Sequence, residues 1–252
     1  MGRDTDNDWA KIAERDPYWG VLSEDQYRKG ALTKEGLAQF MASGERFVTD
    51  LLGLVRAQMN PDFRPARTLD FGCGVGRLLI PLARHSREAV GVDIAPTMLE
   101  LCKRNVLDAG LGNVALLLAD DELSGVEGTF DFVNAYIVIQ HIPPERGMRI
   151  LRTLIERLRI GGIASLQVTY GKSRRMLKHE EPVAEFYRRE GRTIVDLLDT
   201  GWTPPEGTIQ MYDYDLNHVF ALITRHAGHP IITLPTEDDG HLGLHCIFSR
   251  GR

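Results

Sequence analysis

Two patterns of apolar residues divide the chain near residue 61. Before this point, apolar positions recur at spacings of three and four, which indicates amphipathic helices between Trp9 and Asn60. Pro61 closes this segment. The helices are expected to break at three glycines, namely Gly30, Gly36 and Gly44. Residues 1–61 are therefore predicted to form an N-terminal helical cap or lid.

From Arg67 onwards, short continuous apolar runs alternate with helical stretches. The predicted strands are Thr68–Phe71, Ala89–Val92, Val114–Leu118, Phe130–Ile139 and Gly162–Val168. The helices expected between them are Arg77–His85, Pro96–Ala109 and Pro143–Leu158. Continuous apolar runs are typical of strands that are covered on both faces. Their alternation with helices predicts a parallel sheet with right-handed crossovers.

The end of the chain is expected to add an insertion and a hairpin. Residues 171–205 are charged and are predicted to form a partly helical insertion over the substrate side. A helix over Asp215–Ala227 precedes two strands, Ile231–Leu234 and Leu242–Phe248, and the turn between these strands is too short for a crossover helix. Residues 62–252 thus predict an α/β fold, an open, doubly wound, mostly parallel seven-stranded sheet with an antiparallel last strand.

Composition narrows the class of protein. Of 252 residues, 43% are hydrophobic and 26% are charged, and the net charge of −5 gives no general attraction for nucleic acid. No apolar run is long enough to span a bilayer, and the acidic first residues lack the pattern of a secretory signal. The three cysteines lack zinc-site spacing. We expect a reduced, cytoplasmic monomer or homodimer without a metal ion, a membrane partner or a nucleic-acid partner.

The most informative segment is a glycine-rich turn between a buried strand and a helix. It has the form Gly-x-Gly-x-Gly, with glycines at Gly72, Gly74 and Gly76. Such glycines permit a sharp turn and let a ligand approach backbone N–H groups at a helix start. A glycine trio alone is a weak signal, since an ordinary strand–helix turn would also explain it.

Carboxylates at neighbouring strand ends strengthen this signal. Asp93 ends the second predicted strand, 21 residues after Gly72, where a carboxylate can accept hydrogen bonds from ribose hydroxyls. The third strand runs into Asp120 and Asp121. Each of these residues could instead cap a helix. Together they favour a nucleoside site, because ligands of open parallel sheets lie beyond the carboxyl ends of the strands.

These segments resemble, in chain order, the motifs of class I, Rossmann-like S-adenosylmethionine-dependent methyltransferases. The matching segments are Leu69–Gly76, Gly91–Leu99, Leu118–Asp121, Phe130–Val133, Val138–Pro143 and Leu158–Gly162. The resemblance implies S-adenosyl-L-methionine as cofactor and S-adenosyl-L-homocysteine as product. It implies methyl transfer to a small-molecule acceptor by in-line displacement, and it leaves open whether oxygen, nitrogen or carbon is methylated.

The resemblance also implies which residues bind the cofactor. They are Asp70 for the amino group, Gly72, Cys73, Gly74 and Gly76 for the methionine end, Asp93 for the ribose, Ile94 and Met98 for the adenine faces, Asp120 and Asp121 for the adenine edge, and Ala135 and Tyr136 beneath the sulfonium.

The catalytic candidates are His141 and Tyr18. His141 follows the fourth strand and could act as a general base, although a histidine that hydrogen-bonds its own loop would occupy the same position. Tyr18 belongs to an aromatic segment that could line the pocket and exclude water, or could simply anchor the helical cap. Positioning of the two reactants supplies much of such a barrier, so a base is optional.

The same residues also bear on other classes of protein. A nicotinamide enzyme would have the pattern Gly-x-Gly-x-x-Gly, which requires glycine where Arg77 stands. A catalytically silent S-adenosylmethionine-binding sensor or partner protein remains open, because the motifs predict binding and not turnover. His241 and His245 could share a metal on one face of a strand, but solvent-facing alternation explains this pair better.

Overall fold

The computed structural model describes residues 5–173, 184–189, 192–197, 209, 211–238 and 240–252. The strands, numbered along the chain, are β1 (Arg67–Phe71), β2 (Glu88–Asp93), β3 (Val114–Leu118), β4 (Phe130–Ala135), β5 (Leu158–Lys172), β6 (Ala184–Arg189), β7 (Arg192–Leu197), β8 (Ala227–Asp238) and β9 (His241–Arg250). The helices are α1 (Thr5–Arg15), α2 (Pro17–Val21), α3 (Lys34–Gln58), α4 (Leu79–Arg84), α5 (Pro96–Asp108), α6 (Pro144–Glu156) and α7 (Leu216–His226), and short 3-10 turns lie at Asp25–Tyr27 and Ile139–His141. No helix within these ranges has both the length and the apolar character needed to cross a membrane.

Seven strands form one sheet in the order β3-β2-β1-β4-β5-β9-β8. The first five pair in parallel, and β9 pairs antiparallel with both β5 and β8. The prediction of a mostly parallel sheet with an antiparallel last strand is confirmed. After β1 the chain builds the sheet outwards through β2 and β3, and then returns to add β4 on the other side of β1. This reversal creates a crevice at the carboxyl ends of β1 and β4, where open sheets bind ligands.

Helices cover both faces of the sheet. On one face, α6 and α7 contribute Leu154 and Ile223 to a core shared with Val133 and Phe248. On the other face, α3 and α4 pack against β4, β5 and β9, and α5 packs with α4 against β2. Helix α3 is therefore part of the main core as well as of the N-terminal helical region.

The expected helix breaks at Gly36 and Gly44 were wrong, because α3 runs through both positions. Only Gly30 lies in a turn outside α3. The glycine at residue 44 has a packing role instead. A Cβ atom there would lie 2.0 Å from the backbone oxygen of Arg77, so only glycine lets α3 approach the start of α4 this closely.

The insertion over residues 171–205 is extended in the part that the structure describes. Strands β6 and β7 pair antiparallel there, where partly helical structure was expected. The sequence of β7 includes Thr193, Ile194 and Val195, whose β-branched side chains favour strands. Residues 174–183, 190–191 and 198–208 lie outside the described ranges.

Replacing Gly44 by alanine would place a methyl group against the Arg77 carbonyl. We expect Gly44→Ala to lower the free energy of unfolding by about 1–3 kcal/mol, because the helix must shift away from the turn. Gly53 lies in the same helix with open space around it, so Gly53→Ala should raise that energy by up to about 1 kcal/mol. Urea denaturation of both variants measures the difference, and equal effects at the two positions would contradict the close contact.

Candidate active site

A large cavity opens beyond the carboxyl ends of β1, β2 and β4. Its empty volume is about 1010 Å³, including the space at its open mouth, at the upper end of the size expected for a small-molecule site. Ten of the twelve residues predicted to bind the cofactor line it: Asp70, Gly72, Cys73, Gly74, Asp93, Ile94, Met98, Asp120, Asp121 and Tyr136. Gly76 and Ala135 do not line it, and Ala135 is fully buried.

The turn after β1 depends on two glycines with left-handed backbone angles. The φ angles are +69° at Gly72 and +53° at Gly74. A Cβ atom at Gly72 would also lie 2.5 Å from the side chain of Val138. The Gly72 N–H donates to the carbonyl of Val92 at 2.8 Å, which holds the turn against the end of β2. The glycine-rich turn thus brings backbone directly to the cavity wall, as the sequence predicted.

Asp93 joins this turn to the next one. Its Oδ2 atom accepts the backbone N–H of Gly74 at 2.9 Å, and its Oδ1 atom accepts that of Ala95 at 2.9 Å. Burial raises the pKa of this carboxyl above its usual value, although both N–H groups oppose the shift. A carboxylate has about four acceptor positions. Asp93 therefore retains capacity to accept hydroxyl groups from a ligand in the cavity.

A row of buried polar side chains crosses the sheet behind Asp70. Strand register places Asp70 beside Asn134, and Asn134 beside Ser165. The Asn134 amide donates to Asp70 at 2.7 Å, and the Ser165 hydroxyl donates to Asn134 at 2.8 Å. At the far end, Ser165 is 2.8 Å from His245 Nε2. Burial raises the pKa of Asp70 to about 7, while the hydrogen bond from Asn134 opposes this.

His245 is buried in this row, so the expected solvent-facing alternation of His241 and His245 was wrong for His245. Burial lowers the pKa of His245 to about 4, which keeps its ring neutral near pH 7. The described residues contain no group of three or more metal-binding side chains placed to hold an ion.

The two carboxylates after β3 have different partners. Asp120 is exposed and accepts the backbone N–H of Ser124 at 2.8 Å, which lowers the pKa of its carboxyl. Asp121 accepts from Arg146 Nε at 2.8 and 2.9 Å. The same guanidinium binds Asp6 through two hydrogen bonds of 2.6 and 2.8 Å. Arg146 on α6 therefore holds helix α1 against the β3 end of the cavity.

Helices α1 and α2 form part of the cavity wall. Thr5, Asp6 and Trp9 of α1 line it, as do Gly20 and Val21 around α2. The Trp9 ring meets the His141 ring edge-on, with centroids 4.8 Å apart. A lid made of this region was an expectation from the sequence, and these side chains are its contacts with the cavity.

The two catalytic candidates lie in different places. His141 is buried and lines the cavity, and its backbone N–H donates to the Val138 carbonyl at 2.9 Å. Tyr18 does not line the cavity. Its hydroxyl group lies 3.3 Å from Asn105 Oδ1 on α5, and its ring packs edge-on against Phe40. The position of Tyr18 matches that of an anchor for the N-terminal helices.

The chain bends sharply where β4 ends. Ile137 has a φ angle of +58°, a conformation that β-branched residues rarely adopt. Its N–H donates to the Gln167 side chain on β5 at 3.1 Å, which helps to hold the bend. Such strain costs about 1–3 kcal/mol and is concentrated at functional sites. The bend ends the strand four residues before the predicted limit and turns Tyr136, Ile137 and Val138 towards the cavity.

The cavity residues that were not predicted from the sequence include Trp9, Arg77 and Arg146. Arg77 directly follows the last glycine of the turn, and this position was its only local signal. Trp9 and Arg146 meet the cavity through contacts between distant parts of the chain, for which the sequence held no local signal.

Comparison with known proteins agrees with this geometry. A family model described as a methyltransferase domain matches residues 68–162. A ubiquinone biosynthesis O-methyltransferase of Methylocella silvestris is 38% identical over 76 residues, which are 30% of this chain and 30% of that protein. Aklanonic acid methyltransferase DauC of a Streptomyces species is 41% identical over 78 residues, 29% of this chain and 36% of that protein. The matches thus span about a third of each relative's length.

Solved structures share the fold over most of the chain. Magnesium protoporphyrin IX methyltransferase (ChlM) of Synechocystis, with bound S-adenosylhomocysteine, has a TM-score of 0.61 at 18% identity and covers 93% of both chains. The amino pentose methyltransferase CalS10, with bound S-adenosylmethionine, has a TM-score of 0.55 at 18% identity over 86% of this chain and 95% of that one. At this identity the likeness concerns the fold.

The double pairing of Arg146 predicts that this side chain contributes to holding α1 against the cavity. Arg146→Gln removes both carboxylate pairs, so trypsin should cleave α1 after Lys11 or Arg15 about tenfold faster, since the partly buried network is worth more than an exposed pair. Arg149→Gln is the matched control, because it removes an exposed ion pair with Glu145 and a trypsin site from the same helix. If the two variants are cleaved in α1 at the same rate, Arg146 does not hold the helix.

The raised pKa of Asp70 predicts a pH-dependent stability. The unfolded carboxyl loses its proton above about pH 3.8 and the folded one only near pH 7, so ionisation of Asp70 opposes folding between these values. We therefore expect the free energy of unfolding of Asp70→Asn to rise relative to that of the wild type as the pH rises. This difference should grow from about pH 4 to about pH 7, by up to about 4 kcal/mol. Urea denaturation of both proteins across this range measures it, and a constant difference would rule out a raised pKa.

Proposed function

We propose that this chain transfers a methyl group from S-adenosyl-L-methionine to a small-molecule acceptor, because a methyltransferase-domain model matches residues 68–162 and the fold is that of class I methyltransferases. The acceptor atom is oxygen, nitrogen or carbon. When bound, the cofactor supplies an electrophilic methyl group on a sulfonium centre. The names of two relatives, ubiquinone biosynthesis O-methyltransferase and aklanonic acid methyltransferase, support a small-molecule acceptor.

One observation carries the proposal, namely the junction of Gly74 with Asp93. The glycine-rich turn has no side chains at Gly72 and Gly74, so ligand atoms can lie against its backbone. Asp93 fixes that turn and also lines the cavity. Asp93 would hold the ribose, Asp120 the adenine amino group, and Asp70 the amino group of the methionine end. Met98 and Ile94 offer apolar surface for the adenine ring.

The residues around the expected methyl position keep water out and orient the reactants. Tyr136, Ile137 and Val138 form one side of the cavity, and Trp9 with His141 forms another. In-line alignment of two bound reactants can supply roughly 7–11 kcal/mol of a barrier. The cavity can therefore accelerate transfer by positioning alone, provided that the acceptor is a good nucleophile.

His141 is proposed to take the acceptor's proton where the acceptor needs a base. It lines the cavity beside the end of β4, and Trp9 holds the edge of its ring. Tyr18 is not part of this proposal, since its hydroxyl group is directed to Asn105. If His141 acts as a base, His141→Ala lowers turnover more than it lowers binding.

The alternative is a catalytically silent protein that binds S-adenosylmethionine as a sensor. Binding alone is expected of either protein, so turnover distinguishes them. Incubation with methyl-labelled S-adenosylmethionine and a mixture of small metabolites should transfer label to one or more of them if the protein is an enzyme. Tight cofactor binding without transfer to any metabolite would favour the sensor.

Removing the charge of Asp93 tests the cofactor site itself. We expect Asp93→Asn to weaken S-adenosylhomocysteine binding by about 10- to 100-fold, because hydrogen bonds to a charged group contribute about 1.5–3 kcal/mol. Calorimetry measures the affinity, and Asp108→Asn, on the exposed end of α5, is the control. Urea denaturation shows whether the variant still folds, because Asp93 also holds two backbone N–H groups. Unchanged affinity in a folded variant would remove the ribose assignment, and no binding by the wild type would remove the proposed function.

A further inference from the structure

Arg77 is a buried cation in the cavity wall that has no ion-pair partner in the part of the chain that the structure describes. The residue is 6% exposed and lines the cavity. Its Nε atom has no hydrogen-bond partner, and its Nη1 atom reaches only the Ser43 hydroxyl, at 3.5 Å. Among the described residues, no carboxylate lies within ion-pair distance of its guanidinium. Arg146, the other arginine of the cavity wall, is instead paired with both Asp6 and Asp121.

Burying such a charge without a partner is costly. Burial lowers the pKa of Arg77 from its usual value, which reflects the loss of hydration. Buried charges in proteins are normally paired, and an unpaired one destabilises the fold. The planar guanidinium can bind a carboxylate through two parallel hydrogen bonds. An anion that enters the cavity would therefore complete this arrangement.

The position of Arg77 favours the acceptor over the cofactor as the source of that anion. The nearest polar contact of Arg77 is Ser43, on α3. The charges that raise the pKa of Arg77 are first that of Tyr136 and then those of Asp70 and Asp238. Tyr136 directly follows β4 and Asp238 ends β8, so both belong to the half of the sheet from β4 to β8, whereas Asp70 lies on the central strand β1. The residues proposed for the ribose and adenine, Asp93 and Asp120, follow β2 and β3 in the other half.

We propose that Arg77 binds a carboxylate group of the methyl acceptor. The acceptors of this enzyme are then small acids whose apolar bodies lie against Leu78, Ile137 and Val138, which line the same cavity. This inference rests on the proposed function and adds a substrate class to it. Arg77 is a specificity residue in this scheme, since it binds the acceptor away from the reacting atom.

Matched acids and amides test the proposal on the protein loaded with S-adenosylhomocysteine. The probes are benzoate and benzamide, hexanoate and hexanamide, and indole-3-acetate and indole-3-acetamide, which differ in charge but hardly in shape. Thermal shift and ligand-observed NMR give their affinities. We expect at least one acid to bind the wild type tenfold or more tightly than its amide. Arg77→Gln should abolish that preference, and Arg77→Lys should keep part of it, since lysine retains the charge without the planar fork.

Arg84→Gln is the control, because Arg84 ends α4, the helix that directly follows the turn of Arg77, and forms an exposed ion pair with Glu45. This variant should keep the acid preference of the wild type. If Arg77→Gln fails to fold, the comparison of acids with amides on the wild type and on Arg77→Lys still decides the question. Equal affinity of every acid and its amide for the loaded wild type would overturn the proposal.

Calorimetry with two nucleosides separates the acceptor from the cofactor as the source of the carboxylate. Arg77→Gln should change the affinity for S-adenosylhomocysteine by less than threefold. A loss of tenfold or more, with no loss for 5′-methylthioadenosine, which lacks the amino-acid group, would assign Arg77 to the cofactor's own carboxylate and overturn the proposal. If the wild type binds neither nucleoside, the proposed function itself fails, which is a different result from the absence of an acid preference.

Discussion

The carboxylate of Asp93 connects the two turns on which the cavity depends. One oxygen accepts from Gly74 in the turn after β1, and the other accepts from Ala95 at the start of α5. Gly72 and Gly74 have no side chains of their own, so in the first turn this contact comes from Asp93. The same carboxylate lines the cavity. Stability of the turns and affinity for a ligand are therefore coupled through one group.

The polar row behind Asp70 shows how an open parallel sheet can contain ionisable groups in its core. Asn134 and Ser165 interrupt apolar strands, yet each is satisfied by the neighbouring strand in register. Buried polar groups that are fully hydrogen-bonded cost little, whereas a single missing partner is expensive. The row ends at His245, which stays neutral because burial lowers its pKa to about 4. Asp70 is thus held by a hydrogen-bonded row in the sheet and also lines the cavity.

Local signals were sufficient to predict the sheet and most of the cofactor side of the cavity. The glycine-rich turn and Asp93 are close in sequence to the strands that position them, so their spacing together with the family resemblance indicated their role. Contacts between distant segments were not predictable in this way. Asp6 and Arg146 are 140 residues apart. Gly44 was predicted to break a helix, because its tertiary contact with the Arg77 carbonyl leaves no signal in the neighbouring sequence. Tyr18 was aromatic and near the expected lid, but its orientation depends on packing against Phe40.

The cavity also explains why the relatives agree on chemistry without identifying an acceptor. The matched residues 68–162 supply β1 to β4, the glycine-rich turn and the carboxylates after β2 and β3. The remaining walls come from α1 and α2, outside that segment, and α3 supplies the helix that contacts Arg77. Arg77 lies within the matched segment but is directed towards these outer elements. A residue of the matched segment can therefore take part in selecting an acceptor, because the helix that it contacts lies outside that segment.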